Sequence, residues 1–129
     1  MGRNRRSERG SAAVEFALIL PLLLTMALAL VQVGLLVKDQ LIVEEAARAG
    51  AREASVTTDD GAAREAALRA AVSLDHDRLA VAIEREDGPG SAVTVRVTYH
   101  APVVVPIVGW LFRSPVDLSA AAVMRQEAG

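Results

Sequence analysis

The sequence predicts an α+β protein: a long N-terminal transmembrane helix that continues into a small domain with a second helix and a three-stranded antiparallel sheet. Residues 16–37 form an almost unbroken apolar run, small apolar residues then continue at helical spacing, and from residue 79 apolar residues alternate with a period of two. The chain has 129 residues, which leaves room for one domain beside the helix. We therefore divide it into a basic leader (residues 1–10), a transmembrane helix (11–37) and an extracytoplasmic α+β domain (38–129).

The apolar run is long enough to cross a bilayer. Its 22 residues are interrupted only by the uncharged polar side chains of Thr25 and Gln32. At about 1.5 Å per residue the run spans roughly 33 Å, against about 30 Å for the hydrocarbon core of a membrane. Four arginines precede the run and mixed charges follow it. This asymmetry predicts a single-pass protein of the cytoplasmic membrane, with its N-terminus in the cytoplasm and the C-terminal domain outside.

A cleaved secretory signal peptide is an alternative interpretation of the same segment. It would have a basic start, an apolar run and a cleavage site of small residues near Ala27 and Ala29. Two features argue against it. The apolar run continues for eight residues beyond Ala29, and a carboxylate, Glu15, lies at the beginning of the run, where a signal peptide has no use for it.

Glu15 is the most informative residue of the chain. A charged carboxylate at bilayer depth costs about 2.5 to 3.5 kcal/mol on insertion scales, and less near the interface. Position alone leaves two interpretations open: a functional carboxylate, or one that is solvated at the level of the lipid headgroups. Gly10 lies five residues before Glu15, small residues fill most of the gap, and Phe16 follows directly.

This arrangement resembles the prepilin cleavage motif of type IV pilins. More narrowly, residues 13–24 and 46–52 are similar to the TadE-like minor pilins and pseudopilins of the tight-adherence (Flp-type) pilus system. The resemblance covers residues 8–52. It implies that a membrane prepilin peptidase cuts between Gly10 and Ser11, and that Glu15 and Phe16 serve peptidase recognition and assembly. It also implies that other pilins and pilus assembly proteins are partners, and that the protein resides in the membrane or in the pilus, with roles in adhesion or secretion.

The resemblance has a physical basis. Cleavage after Gly10 would create a free amine on Ser11, which shares a helix face with Glu15 four residues later. That amine could pair with the Glu15 carboxylate of its own chain or of a neighbouring subunit, so that the burial of one charge offsets that of the other. In type IV pilins the resemblance implies the pair between subunits.

Beyond the membrane, the helix is expected to continue to about Ala54. Its small residues at positions 46–51 have two interpretations: they pack on the domain's own sheet, or they contact another subunit. Residues 57–61 predict a helix N-cap, and a second helix is expected at 62–74. Its apolar stripe would contain Ala63, Ala67, Leu68, Ala71 and Val72. Strands are expected at residues 79–84, 93–99 and 116–124, the first two forming a hairpin.

Residues 101–115 form an apolar segment that is too short and too interrupted by proline to span a membrane. It contains Trp110, Leu111 and Phe112. Two interpretations remain open. The segment is a loop that contacts the membrane surface or another subunit through these side chains, or it folds back over the sheet as core.

Catalytic and ligand-binding patterns are scarce. His76 lies between Asp75 and Asp77, but adjacent residues rarely converge on one ion, so we expect a solvated loop and no metal site. The chain has no cysteine, a net charge of −2 and 3% aromatic residues, which argue against thiolate metal sites and nucleic-acid partners. We expect no enzyme activity, cofactor or small-molecule substrate. The alternative to a pilus subunit is an unprocessed single-pass protein whose external domain binds or scaffolds something unrelated to pili.

Overall fold

The computed structural model describes residues 4–88, 90–105, 107, 109–111 and 115–127, with the side chains of residues 4 and 5 left aside. Helix α1 spans Asn4–Val56 and helix α2 spans Asp60–Ala70. A short 3₁₀ turn, His76–Arg78, leads into strands β1 (Leu79–Arg85), β2 (Ala92–Ala101) and β3 (Val116–Arg125). The strands form an antiparallel sheet in the order β1-β2-β3, which confirms the predicted α+β class.

Helix α1 meets two different environments along its 53 residues. Its N-terminal half is exposed nearly throughout and contains an 18-residue window of mean hydropathy 2.4, none of it buried, so by length and composition it can cross a membrane. Its C-terminal half carries a buried stripe at helical spacing. The stripe consists of Val43, Ala46, Ala47, Gly50, Ala51 and Ala54. This spacing places all six residues on one face, which packs against α2 and the sheet.

Helix α2 begins where the N-cap was predicted. The Asp59 carboxylate accepts a hydrogen bond from the Gly61 N–H at 2.8 Å. The predicted end at residue 74 is wrong, because Ala71 leaves the helical conformation (φ −100°, ψ 30°). The stripe assignment of Val72 is therefore also wrong, since it lies beyond the helix and is 79% exposed. Leu74 is buried near that end of the helix instead.

The sheet has one buried and one exposed face. On central strand β2, residues 93, 95, 97, 99 and 101 are buried. The strand pairs with β3 over its whole length and with β1 over residues 93–99. The opposite face carries polar residues such as Arg96 and Asp117, which are exposed. The predicted alternation therefore holds on all three strands, and the helices cover a single face of the sheet.

Candidate functional site

The predicted cleavage segment lies on the exposed surface of α1. Gly10, Ser11, Glu15 and Phe16 are all exposed, and a Cβ built on Gly10 would meet no atom of the described chain within 4 Å, the helix's own backbone aside. The Ser11 hydroxyl donates to the Glu15 carboxylate over 3.4 Å, so these two residues share a helix face as the sequence predicts. The described part of the domain does not cover this segment.

The Glu15 carboxylate is left available for a partner outside the chain. Among the residues that the structure describes, no cation forms an ion pair with it, and the Ser11 hydroxyl is its hydrogen-bond donor. Ser11 precedes it by one helical turn, so an amine created at Ser11 would lie on the same surface. The geometry therefore permits a pair within the chain and, equally, a pair between two parallel helices.

The small-residue face of α1 packs on the chain's own domain. Ala46, Ala47, Gly50 and Ala51 are fully or almost fully buried against α2 and the sheet. Of the two interpretations of this face, the structure shows the one in which it contacts its own domain. Arg48 lies on the outer side of the same turn and forms exposed ion pairs with Glu44 at 3.8 Å and Glu45 at 3.5 Å.

A family model described as TadE-like protein matches residues 10–52. Over these residues, a third of the chain, the sequence is similar to that family. The TadE-like segment begins at the predicted cleavage glycine, includes the apolar anchor and ends at the exposed Arg52, directly after the buried Ala51. It indicates a membrane-anchored protein associated with tight-adherence pili. No curated protein and no solved structure gives a significant match to the chain.

Gln32, a polar residue of the TadE-like segment, is hydrogen-bonded to two residues that lie outside this segment. Gln32 is fully buried, and its Oε1 accepts hydrogen bonds from the backbone N–H groups of Val104 at 2.9 Å and Val105 at 3.1 Å. Two donors on one oxygen fix the orientation of the amide. Its Nε2 is buried and has no acceptor among the residues that the structure describes. We refer to this contact as the Gln32 clamp.

Sequence reasoning noted Gln32 only as an interruption of the apolar run. A signal for the clamp was nevertheless present, because an uncharged polar residue inside a membrane span usually needs a protein partner. The partner could not be read from the sequence, since it is the backbone of a segment 72 residues further along the chain.

The described residues of the apolar segment after Ala101 do not fold over the sheet. Val104, Ile107, Trp110 and Leu111 are 63%, 54%, 78% and 54% exposed, and the described residues of this segment beyond Ala101 are not part of the buried core. The core alternative is therefore wrong for these residues. Phe112, the third predicted contact residue, lies outside the described residues.

Sequence reasoning also missed a set of hydrogen bonds at the C-terminal end of α1. Arg85 at the end of β1 donates to the backbone oxygens of Ala54 at 2.9 Å and Thr57 at 3.0 Å, and to the Asp60 carboxylate at 2.8 Å. The last carbonyl oxygens of a helix have no partner within the helix. Here Arg85 supplies one to Ala54, and the Glu127 N–H supplies one to Ser55 at 2.8 Å. Arg85 lies on the same half-buried face of β1 as Leu79, Val81 and Ile83. A charged residue in this alternation was the sequence signal that could have revealed the contact.

The histidines do not form a site with the described acidic residues. The His76 ring approaches the Ala71 carbonyl oxygen at 3.2 Å, while the Asp75 carboxylate accepts from the Asp77 N–H at 3.0 Å. His100 contacts Asp117 across β2 and β3 on the exposed face of the sheet. In the described ranges, no group of three or more potential ligands converges on one point.

Proposed function

We propose that this chain is a minor pilin or pseudopilin subunit that supports assembly of a tight-adherence pilus and is processed after Gly10 by a prepilin peptidase. The observation that carries the proposal is the TadE-like match over residues 10–52, which contains both Gly10 and Glu15. The role is structural. Its partners are the membrane, the peptidase, other pilins and pilus assembly proteins, and no catalytic step, cofactor or small molecule is assigned to it.

The exposure of the leader junction supports the processing step. A peptidase embedded in the membrane must reach the bond between Gly10 and Ser11, and the side chains around this bond are exposed on α1. Four arginines lie on the N-terminal side of the bond and the apolar anchor lies on the other. By the positive-inside rule, this order supports a position of the bond at the cytoplasmic interface of the membrane.

Glu15 supports the assembly step. Its carboxylate is exposed and lies one turn from the future N-terminus. In the proposed assembly it pairs with the Ser11 amine of a neighbouring subunit, which offsets the cost of holding both charges in an apolar environment. The C-terminal domain then lies outside the cytoplasm, where a pilus is built.

Intact-mass measurement of the protein extracted from its native host tests processing. The wild-type chain should lack residues 1–10, and a strain without its prepilin peptidase should retain them. Gly10→Leu should also retain them, because a larger side chain at the scissile bond excludes the peptidase. Gly34→Leu is the matched control, since Gly34 lies in the same helix and its Cβ would also meet no described atom within 4 Å.

Two other masses would contradict the proposal. A chain that keeps residues 1–10 in the presence of an active peptidase would favour an unprocessed single-pass protein with a binding or scaffold domain. A chain that begins just after Ala29 would instead identify a cleaved signal peptide.

A further inference from the structure

The Gln32 clamp ties part of the external domain to the membrane-spanning part of α1. Gln32 lies within the apolar run of residues 16–37 and is six residues before Lys38, the first charged residue after that run. At about 1.5 Å per residue, Gln32 therefore lies about 9 Å deeper in the membrane than Lys38, measured along the helix. The backbone of Val104 and Val105 is hydrogen-bonded to it and is therefore held at the same level.

We propose that the described residues after β2 (102–105, 107 and 109–111) dip into the outer leaflet of the membrane and that Gln32 holds them there. We refer to these residues as the membrane loop. The occupant of its apolar surface is lipid, at the boundary between headgroups and acyl chains. The inference does not depend on the proposed pilus function, since it requires only that the apolar run of α1 crosses a bilayer.

The hydrogen bonds of the clamp satisfy two backbone N–H groups of such a loop. Non-helical backbone is tolerated at membrane depth only where its polar groups find partners inside the protein. Gln32 Oε1 accepts the N–H groups of two consecutive residues of the membrane loop. In return, the loop covers a side chain whose neighbours on α1, Val31 and Val33, are exposed at the lipid-facing surface.

The composition of the membrane loop also fits lipid. No charged residue occurs between His100 and Arg113. The exposed side chains among the described loop residues are apolar: Val104, Ile107, Trp110 and Leu111. A tryptophan with an apolar ring and one N–H donor is typical of the membrane interface. The exposed face of the sheet, by contrast, carries charged residues such as Arg96 and Asp117.

Trp110 is the only tryptophan of the chain, so its fluorescence reports directly on the loop. The full chain is reconstituted in phosphatidylcholine vesicles whose acyl chains carry bromine either near the headgroup or near the chain end. We expect strong quenching by the shallow bromines, weaker quenching by the deep ones, and weaker quenching by aqueous acrylamide than for a free tryptophan derivative. Strong acrylamide quenching without bromolipid quenching would overturn the proposal.

A second copy of the chain is the competing occupant, and dilution distinguishes it from lipid. Bromolipid quenching should stay constant when the lipid-to-protein ratio rises tenfold. If it increases on dilution, neighbouring chains shield Trp110 at high density, and the lipid proposal is wrong.

Gln32→Met tests the positioning role of the clamp. The variant has a side chain of similar length and inserts readily, but it cannot accept the two N–H groups. We expect bromolipid quenching of Trp110 to fall and acrylamide quenching to rise. Thr25→Val is the matched control, because its hydroxyl bonds only the Pro21 oxygen of its own helix at 2.8 Å among the described contacts. Unchanged quenching in Gln32→Met would remove the assigned role of Gln32.

Discussion

Gly50 lies where α1 packs closely against α2 and β2. A Cβ built there would lie 3.0 Å from Val95 Cγ1, 3.2 Å from Ala67 Cβ and 3.3 Å from the Ala63 oxygen. The three neighbours belong to β2 and α2, so a small movement away from one of them does not relieve the others. Since one of them is a backbone oxygen, α2 itself would have to move.

The free-energy change of Gly50→Ala has two opposing parts. Alanine in place of glycine within a helix stabilises by about 0.5 to 1 kcal/mol. Overpacking of a close core contact costs about 1 to 3 kcal/mol. Because all three contacts are tighter than ordinary van der Waals separation, we expect overpacking to dominate and the domain to lose about 1 kcal/mol. Gly50→Val should cost more, since its two additional methyl groups meet the same neighbours.

Urea unfolding of the full chain in detergent micelles, followed by far-ultraviolet circular dichroism, measures this change. With a slope of about 1 to 2 kcal/mol per molar urea, the Gly50→Ala midpoint should fall by roughly 0.5 to 1 M at an unchanged slope. Gly34→Ala is the control: its Cβ meets no described atom within 4 Å, and its part of α1 stays in the micelle. A midpoint of Gly50→Ala at or above that of the wild type would refute the packing argument.

Three further outcomes follow from the structure and from the proposed function. Arg85→Met should lower the free energy of unfolding by about 2 kcal/mol in the same urea assay, because charge-assisted hydrogen bonds to the end of α1 are lost, while the exposed Arg96→Met should leave the midpoint unchanged. Glu15→Gln should abolish or reduce piliation at matched levels of processed protein, since the Ser11 amine would lose its partner at a cost of up to about 3 to 5 kcal/mol where the pair is buried; normal piliation would remove the assembly role. A reporter fused after Gly129 should be active only outside the cytoplasm, and cytoplasmic activity would reverse the proposed orientation.

The sequence predicted those elements whose pattern is local. The alternation of β2 is visible in Val93, Val95 and Val97, and its strand was placed to within two residues of the observed Ala92–Ala101. The end of α2 was misplaced because alanines continue through Ala71 without a stop residue, so only the tertiary burial of Leu74 shows where the chain turns.

In the candidate site, too, local features were predicted and contacts between distant residues were missed. The helical spacing of Ser11 and Glu15 could be read directly from the sequence, and the structure shows them on one face. Cleavage at Gly10 and the assembly role of Glu15 stay predictions. The Gln32 clamp and the Arg85 contacts were missed, because both join a side chain to backbone atoms that are distant in the sequence. The positions of those backbone atoms depend on how the sheet packs on α1.

The Gln32 clamp restricts which part of α1 can take part in subunit contacts. C-terminal to Gln32, the helix face at residues 43–54 is buried in the chain's own domain. At Gln32 itself, the membrane loop covers one side of the helix. N-terminal to Gln32, residues 10–31 are exposed or half-exposed, and no segment of the described chain covers them. Glu15 lies 17 residues before Gln32, or about 25 Å along the helix. In a filament built through α1, helix contacts between subunits would therefore concentrate in this N-terminal part, and Glu15 would lie near its far end. Because the clamp and the buried face both join α1 to the domain, the domain and the C-terminal half of the helix would move as one unit.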